Sequence, residues 1–202
     1  MTDFFTVLPR EICDLPDDVA DTPAPRTPVL AAPYHLRLVD PDRDTDVIAE
    51  WMRRPHLVEA WERPWPAAKW HRHLGLQLDG EYSRPLIAGF EGEDYAYLEL
   101  YRPAKDHIAP GYDARANDVG LHAAIAEPAI VNKGFAPRLM PKMIDAIFAA
   151  EPSCERVIFD PDSRNTLAQR LCEFVGCTRV GEFRGDAATN LLYAYPRPAS
   201  AA

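Results

Sequence analysis

Polar and apolar positions alternate through YHLRLVD, where His35 and Arg37 stand against Tyr34, Leu36 and Leu38. That is the period of a half-buried strand. Residues 42–54 change to a helical period, with an acidic first turn, Val47, Ile48, Trp51 and Met52 on one face, and arginines before Pro55. HLVEAWERPW is dense in aromatics and fits neither period. Helical spacing returns over 66–78 through Trp70, Leu74 and Leu78, with Pro66 near the first turn and Gly80 at the exit. SRPLIAGFEG and DYAYLELYRP alternate on either side of EGED, which predicts an antiparallel hairpin. A polar loop, KDHIAPGYDARAND, follows.

One stretch organises the second half, VGLHAAIAEPAIVNKGFAPRLMPKMI. VGLHAAIAE reads as a buried strand, VNKGFAP as a tight turn, and Leu139, Met140, Met143, Ile144, Ile147 and Phe148 as the apolar stripe of a helix. Gly134 has no Cβ to obstruct the turn. A strand feeding such a turn into a helix leaves backbone N–H groups pointing at one spot, which favours phosphate. The N–H groups of Lys133, Gly134, Phe135 and Ala136 form this cradle, with Lys133 and Arg138 adding charge. Pro141 is tolerable if the helix begins near Arg138, because its missing N–H then falls in the first turn. ERVIFDPD predicts a further buried strand. SRNTLAQRLCEFVG predicts a helix with Leu167, Leu171, Phe174 and Val175 inward and Gly176 as its cap. CTRVGEF and TNLLYAYP close the chain as a strand pair. This order implies an α/β (α+β) domain, a mixed sheet with helices on its faces. The domain is expected over residues 34–197. Residues 1–33 hold six of the 20 prolines and are expected as a partly ordered N-terminal extension, with 198–202 a tail.

With 202 residues there is room for one domain with a proper core. A net charge of −9 argues against a nucleic-acid or anionic-membrane surface, so an anion site must be local. No apolar run approaches the roughly 20 residues that span a bilayer, and the N-terminus lacks a signal-peptide pattern. A cytoplasmic, monomeric protein is expected. Cys13, Cys154, Cys172 and Cys177 have neither paired nor scaffold spacing and read as reduced thiols.

Several side chains are candidates for chemistry. His122 is a lone histidine in an apolar strand, by itself more often a core residue bonded to backbone. Asp160 ends the strand ERVIFD, where α/β sites are commonly built, although aspartate also favours such turns. Burial beside apolar neighbours would raise its pKa. Asn165 is placed to cap the following helix. Arg164, Lys133, Arg138 and Lys142 are ordinary surface charges singly, and as a cluster could receive a phosphate or an acidic carrier protein. Trp51, His56, Trp61, Trp65 and Trp70 sit in one aromatic segment, and most are expected in the core. His71 and His73 lack a third ligand, so no metal is assigned.

The turn VNKGFAP, the strand ending in DPDSRN and the run NTLAQRLCEFVG together resemble the Gcn5-related N-acetyltransferase (GNAT) superfamily. WMRRPHLVEAW, YLELYRPAKD, GLHAAIA and FDPDSRNT narrow the resemblance to its siderophore-biosynthesis acyltransferase branch. The resemblance implies a mostly antiparallel sheet and a cradle for a coenzyme A-type pyrophosphate. It implies Asp160 as the base, His122 facing the substrate, and Asn165 as a partner for the pantetheine arm. Cys172 stands where many members carry a tyrosine, and Val131 where many place Arg or Gln. The implied reaction moves a medium- to long-chain acyl group from acyl-CoA or a phosphopantetheine-linked acyl carrier protein. The acceptor is the ε-amine of lysine or N6-hydroxylysine, free or within a siderophore core. The alternatives are an acetyl-CoA-dependent acetyltransferase of another small amine, and a non-catalytic module that binds acyl thioesters.

Overall fold

The structure is a computed structural model describing residues 8–127, 134–185 and 188–199. One seven-stranded sheet holds β1 (Tyr34–Leu38), β2 (Ser83–Phe90), β3 (Glu93–Tyr101), β4 (Val119–Ile125), β5 (Arg156–Phe159), β6 (Thr178–Arg184) and β7 (Thr189–Pro196), in the order β1-β2-β3-β4-β5-β7-β6. Neighbours are antiparallel except β4 and β5, which are parallel. The helices are α1 (Asp17–Ala20), α2 (Pro41–Trp51), α3 (Pro55–Trp61), α4 (Ala67–Asp79), α5 (Phe135–Ala150) and α6 (Thr166–Phe174).

Local chemistry accounts for these elements. Glu91 and Gly92 both have positive φ, 51° and 88°, the pairing that turns a two-stranded ribbon with the right twist. Asp40 caps α2 by accepting from the Asp42 N–H at 3.1 Å, with Pro41 pre-set at the first turn. The unassigned aromatic block forms α3, begun by Pro55 and ended at Glu62 in the left-handed region.

The two sheet faces bury different chemistry. Leu86, Leu98, Leu100, Val119 and Val157 pack against Leu139, Met143, Ile144 and Ile147 of α5. On the opposite face, Ile87, Tyr97 and Ala124 meet Trp51, Met52, Trp70 and Leu74 of α2 and α4. Residues 8–33 wrap the sheet, with Leu8 packing beside Tyr101 and Leu30 reaching the α5 side. Ile12 N–H donates to the Lys105 carbonyl at 3.0 Å, and Arg102 Nε to the Pro23 carbonyl at 2.7 Å. The polar loop after β3 contains two 3-10 turns and buries Asp106, Ile108 and Asp118.

Two helix expectations need correction. α5 begins at Phe135, so Pro141 lies inside it and not in its first turn. Its ring faces solvent, and the one lost hydrogen bond is to the carbonyl of Pro137, a first-turn residue. In α6, Leu167 and Phe174 are 65% and 75% exposed, while Cys172 is buried. The inward stripe is turned by one residue, through Ala168, Leu171, Cys172 and Val175.

The parallel pair leaves an opening in the sheet. β4 and β5 are in register only at Val119↔Val157 and Gly120↔Ile158. Beyond that, among the described residues, β4 continues to Ile125 paired with β3 as its one strand neighbour, so its other edge faces a wedge. The Ala126 N–H points to the Tyr95 carbonyl of β3. By alternation along the strand, the N–H groups of Ala123 and Ile125 point into the wedge.

Met143→Ala should lower the unfolding free energy in urea by about 2–5 kcal/mol through the cavity it leaves. Leu167→Ala should change it by about 0.5 kcal/mol or less.

Candidate active site

The register of β3 and β4 sets Glu99 directly opposite His122. Asp160 follows the last residue of β5 and faces the same side of the sheet. His122 bridges the two carboxylates, Nδ1 to Glu99 Oε2 at 3.1 Å and Nε2 to Asp160 Oδ1 at 2.9 Å. Tyr101, two residues along from Glu99, stacks on the imidazole at 4.4 Å and donates its hydroxyl to Asp160 Oδ1 at 2.8 Å. The ring needs the space over Gly120, where a Cβ would come within 2.2 Å of Tyr101 Cζ.

The network extends at both ends. Arg10 donates to Asp160 Oδ2 at 2.7 Å and pairs in a fork with Asp106. Asn190 donates to the Asp160 backbone carbonyl at 2.7 Å. Glu99 accepts from Tyr97 at 3.0 Å, Gln77 at 3.2 Å and Arg63 at 3.3 Å. Arg63 lies over the rings of Trp61 and Trp65. Three buried carboxylates thus alternate with three cationic groups, a paired arrangement that low-dielectric surroundings demand.

This pairing decides the protonation states. Burial works against ionisation of Asp160, but the charges of Arg10 and His122 outweigh it and hold the carboxyl below its usual range. The expectation of a raised Asp160 pKa is therefore corrected: its environment is ionic and not apolar. Glu99 is likewise held well below its usual range, against burial, by Arg63 and by the hydrogen bond from His122, with His73 Nε2 3.5 Å away. Burial works against a charged His122, yet Asp160 and Glu99 together raise its pKa. Either neutral tautomer would turn a ring lone pair toward a carboxylate, whereas the imidazolium donates to both. Burial and neighbouring carboxylates push Tyr101 well above its ordinary value, keeping it a donor.

Accessibility assigns separate places to the two residues read from sequence. The His122 side chain is 15% exposed and Asp160 only 1%, so His122 lies nearer the surface and Asp160 deeper. Trp61 meets His122 edge-on at 6.1 Å. His56 and Trp51 have structural surroundings, His56 bonding the Ile125 carbonyl at 3.0 Å and Trp51 lying in the core.

Gly134 caps α5 with φ 70°, and nothing stands within 4 Å of where its Cβ would be. Phe135 packs on Tyr34 and Phe90 at 6.0 and 6.3 Å, fixing the start of the helix at the sheet. Arg138 Nε donates to the Gly134 carbonyl at 3.0 Å, and Ala136 lies half-buried in the first turn. Lys133 and Val131 lie outside the described residues. Asn165 caps α6 by accepting from the Ala168 N–H at 3.1 Å. Cys172, 3% exposed, is held as a thiol by its hydrogen bond with Cys177 and by burial. Among the described residues, no group of three or more His, Cys, Asp or Glu is arranged to hold a metal, and no helix is long and apolar enough to cross a membrane.

Sequence reasoning missed Glu99, Tyr101, Asp106, Asn190 and Arg10. Tyr97, Glu99 and Tyr101 alternate on one side of DYAYLELYRP, a polar series that should be costly inside a sheet and so was a usable signal. Arg10 carried none, because its partners lie 96 and 150 residues away.

The family model for the acetyltransferase (GNAT) domain matches residues 40–184. The lysine N-acyltransferase MbtK of Mycobacterium sp. (strain MCS) is 57% identical over 196 residues, covering 96% of this chain and 80% of that protein. The lysine N-acyltransferase MbtK of Mycobacterium tuberculosis (strain CDC 1551 / Oshkosh) is 50% identical over 195 residues, 96% of this chain and 92% of that one. Among solved structures, aminoglycoside acetyltransferase AAC(6')-Ib in complex with coenzyme A matches with a TM-score of 0.71 at 22% identity, covering 81% of this chain and 95% of that one. At that identity the likeness concerns the fold.

Gly120→Ala should displace Tyr101 from His122 and Asp160 and cost about 2 kcal/mol, read by urea denaturation. The charge network should also shape stability against pH. Asp160 and Glu99 have depressed values, so their stabilisation is present above about pH 4 and lost as pH falls. His122 has a raised value, so its stabilisation is present below about pH 6.5 and lost as pH rises through the folded value. Melting temperatures between pH 5 and 9 should fall on the alkaline side in the wild type and less in His122→Gln.

Proposed function

This chain belongs to the acetyltransferase (GNAT) family, and on that premise we propose that it is the lysine N-acyltransferase of a siderophore pathway. It is an N-acyltransferase. In this reading it moves a medium- to long-chain acyl group to the ε-amine of lysine or N6-hydroxylysine, in a cytoplasmic setting. The donor is acyl-CoA or the phosphopantetheine thioester of an acyl carrier protein. The observation that carries the reading is 57% identity to a lysine N-acyltransferase over 96% of the chain.

The proposed mechanism is direct attack within a ternary complex. The donor's phosphates meet the turn at Gly134, Phe135 and Ala136, with Lys133 and Arg138 beside it and Asn165 at the pantetheine arm. The thioester carbonyl enters the wedge, where the N–H groups of Ala123 and Ile125 meet the developing oxyanion. The amine nitrogen attacks the carbonyl carbon, the C–S bond breaks, and the sulfur leaves as thiolate to take up a proton. No acyl-cysteine step is invoked, since Cys172 is buried and held as a thiol.

Lysine arrives protonated and must lose a proton before it attacks. With His122 neutral, that proton adds to the Asp160–His122 pair, which then holds it as carboxylate and imidazolium. Asp160 acts as base through this pairing and not through an elevated carboxyl pKa.

Mass spectrometry of lysine and N6-hydroxylysine incubated with acetyl- and long-chain acyl-CoA tests the assignment. Long-chain N6-acyl products are expected; acetylation alone would favour an acetyltransferase of another amine, and no transfer would favour the non-catalytic module. Asp160→Ala should lower kcat/KM by about a hundredfold or more, in line with loss of general base catalysis.

A further inference from the structure

The network around His122 depends on a cation that comes from outside the sheet and helices. Arg10 lies beside Leu8, which is 5% exposed, and next to the bridge between Glu11 and Asp106. Its own carbonyl accepts from the His107 N–H at 2.9 Å. This backbone fixing aims the guanidinium inward, leaving its side chain 17% exposed. Nε and one terminal nitrogen reach the two oxygens of Asp106 at 3.0 Å each, and that same nitrogen reaches Asp160 Oδ2 at 2.7 Å. Asp106 is anchored in turn by the Tyr82 hydroxyl and by the Ile108 N–H at 3.0 Å.

We propose that Arg10 is a positioning residue for acyl transfer: forked between Asp106 and Asp160, it holds the Asp160 carboxylate ionised and turned toward His122. This rests on the roles given above to His122 and Asp160. The N-terminal segment then forms part of the active site. A planar fork suits two carboxylates at once, which the point charge of a lysine does not.

The groups facing Asp160 are Arg10, Tyr101 of β3, His122 of β4 and Asn190 of β7. Asp106, Tyr82 and His107 lie around Arg10, and Glu99 with Arg63 lies beyond His122. Without Arg10, Asp106 and Asp160 become neighbouring buried anions short of one cation, which favours uptake of a proton. Loss of the Arg10 charge also favours a protonated His122. Both effects shift proton release from the pair to higher pH.

The test uses full-length Arg10→Met and Arg10→Lys proteins, following the His122 imidazole by NMR and kcat/KM for lysine acylation across pH. In Arg10→Met, the His122 titration and the acidic limb of kcat/KM should both move up by about one pH unit. Arg10→Lys should show a smaller shift in the same direction. A merely structural role predicts lower thermal stability with neither shift, which would overturn the proposal. If Arg10→Met does not fold, Arg10→Lys decides alone, and an unmoved titration counts against the proposal. The NMR titration needs no acceptor. A shift there, with no lysine acylation by the wild type, would uphold the role of Arg10 in the network and reject the lysine reading.

Discussion

Three carboxylates buried on one face of the sheet are the constraint on which this site depends. Asp106, Asp160 and Glu99 are each below 7% exposed, where an unpaired charge would be costly by several kcal/mol. Each therefore has a cation in contact: Arg10 between the first two, His122 between the last two, and Arg63 at the outer end. The chain reaches these positions through three separate devices: the β3–β4 register, the end of β5, and a strap of N-terminal residues. Disturbing one member leaves its neighbour's charge uncompensated, so geometry and protonation are coupled.

That coupling recasts the proposed catalytic pair. A lone carboxyl with a raised pKa would be a base by virtue of apolar burial. The actual Asp160 is saturated by Arg10, His122, Tyr101 and Asn190, and gains its usefulness by fixing His122 in place. The neighbouring wedge supplies the other half, since β4 leaves β5 after Gly120 and exposes donors at Ala123 and Ile125. His122 and the N–H groups of Ala123 and Ile125 that point into the wedge thus lie on one strand, with Asp160 brought in from the end of β5.

Periodicity made most of the scaffold legible. The hairpin at Glu91 and Gly92, the α5 stripe and the closing strand pair follow directly from residue patterns and turn chemistry. α6 was misread by one residue, because a short helix with Leu167, Leu171, Cys172, Phe174 and Val175 offers two apolar stripes and only packing selects one. His122 and Asp160 were found through family resemblance. Of their partners, Glu99 and Tyr101 left a trace in the polar alternation of β3, whereas Arg10 meets them from a distant segment and local pattern carries no record of that meeting.

In the proposed reaction wedge and charge network form one site, with the donor carbonyl in the first and the acceptor amine at the second. A crystal structure with lysine and a non-hydrolysable long-chain acyl-CoA analogue measures this directly. The account predicts the carbonyl oxygen facing the Ala123 and Ile125 amides, with the lysine nitrogen beside His122 and about 3–3.5 Å from the carbonyl carbon. A donor carbonyl bound outside the wedge, or an acceptor nitrogen remote from His122, would contradict it.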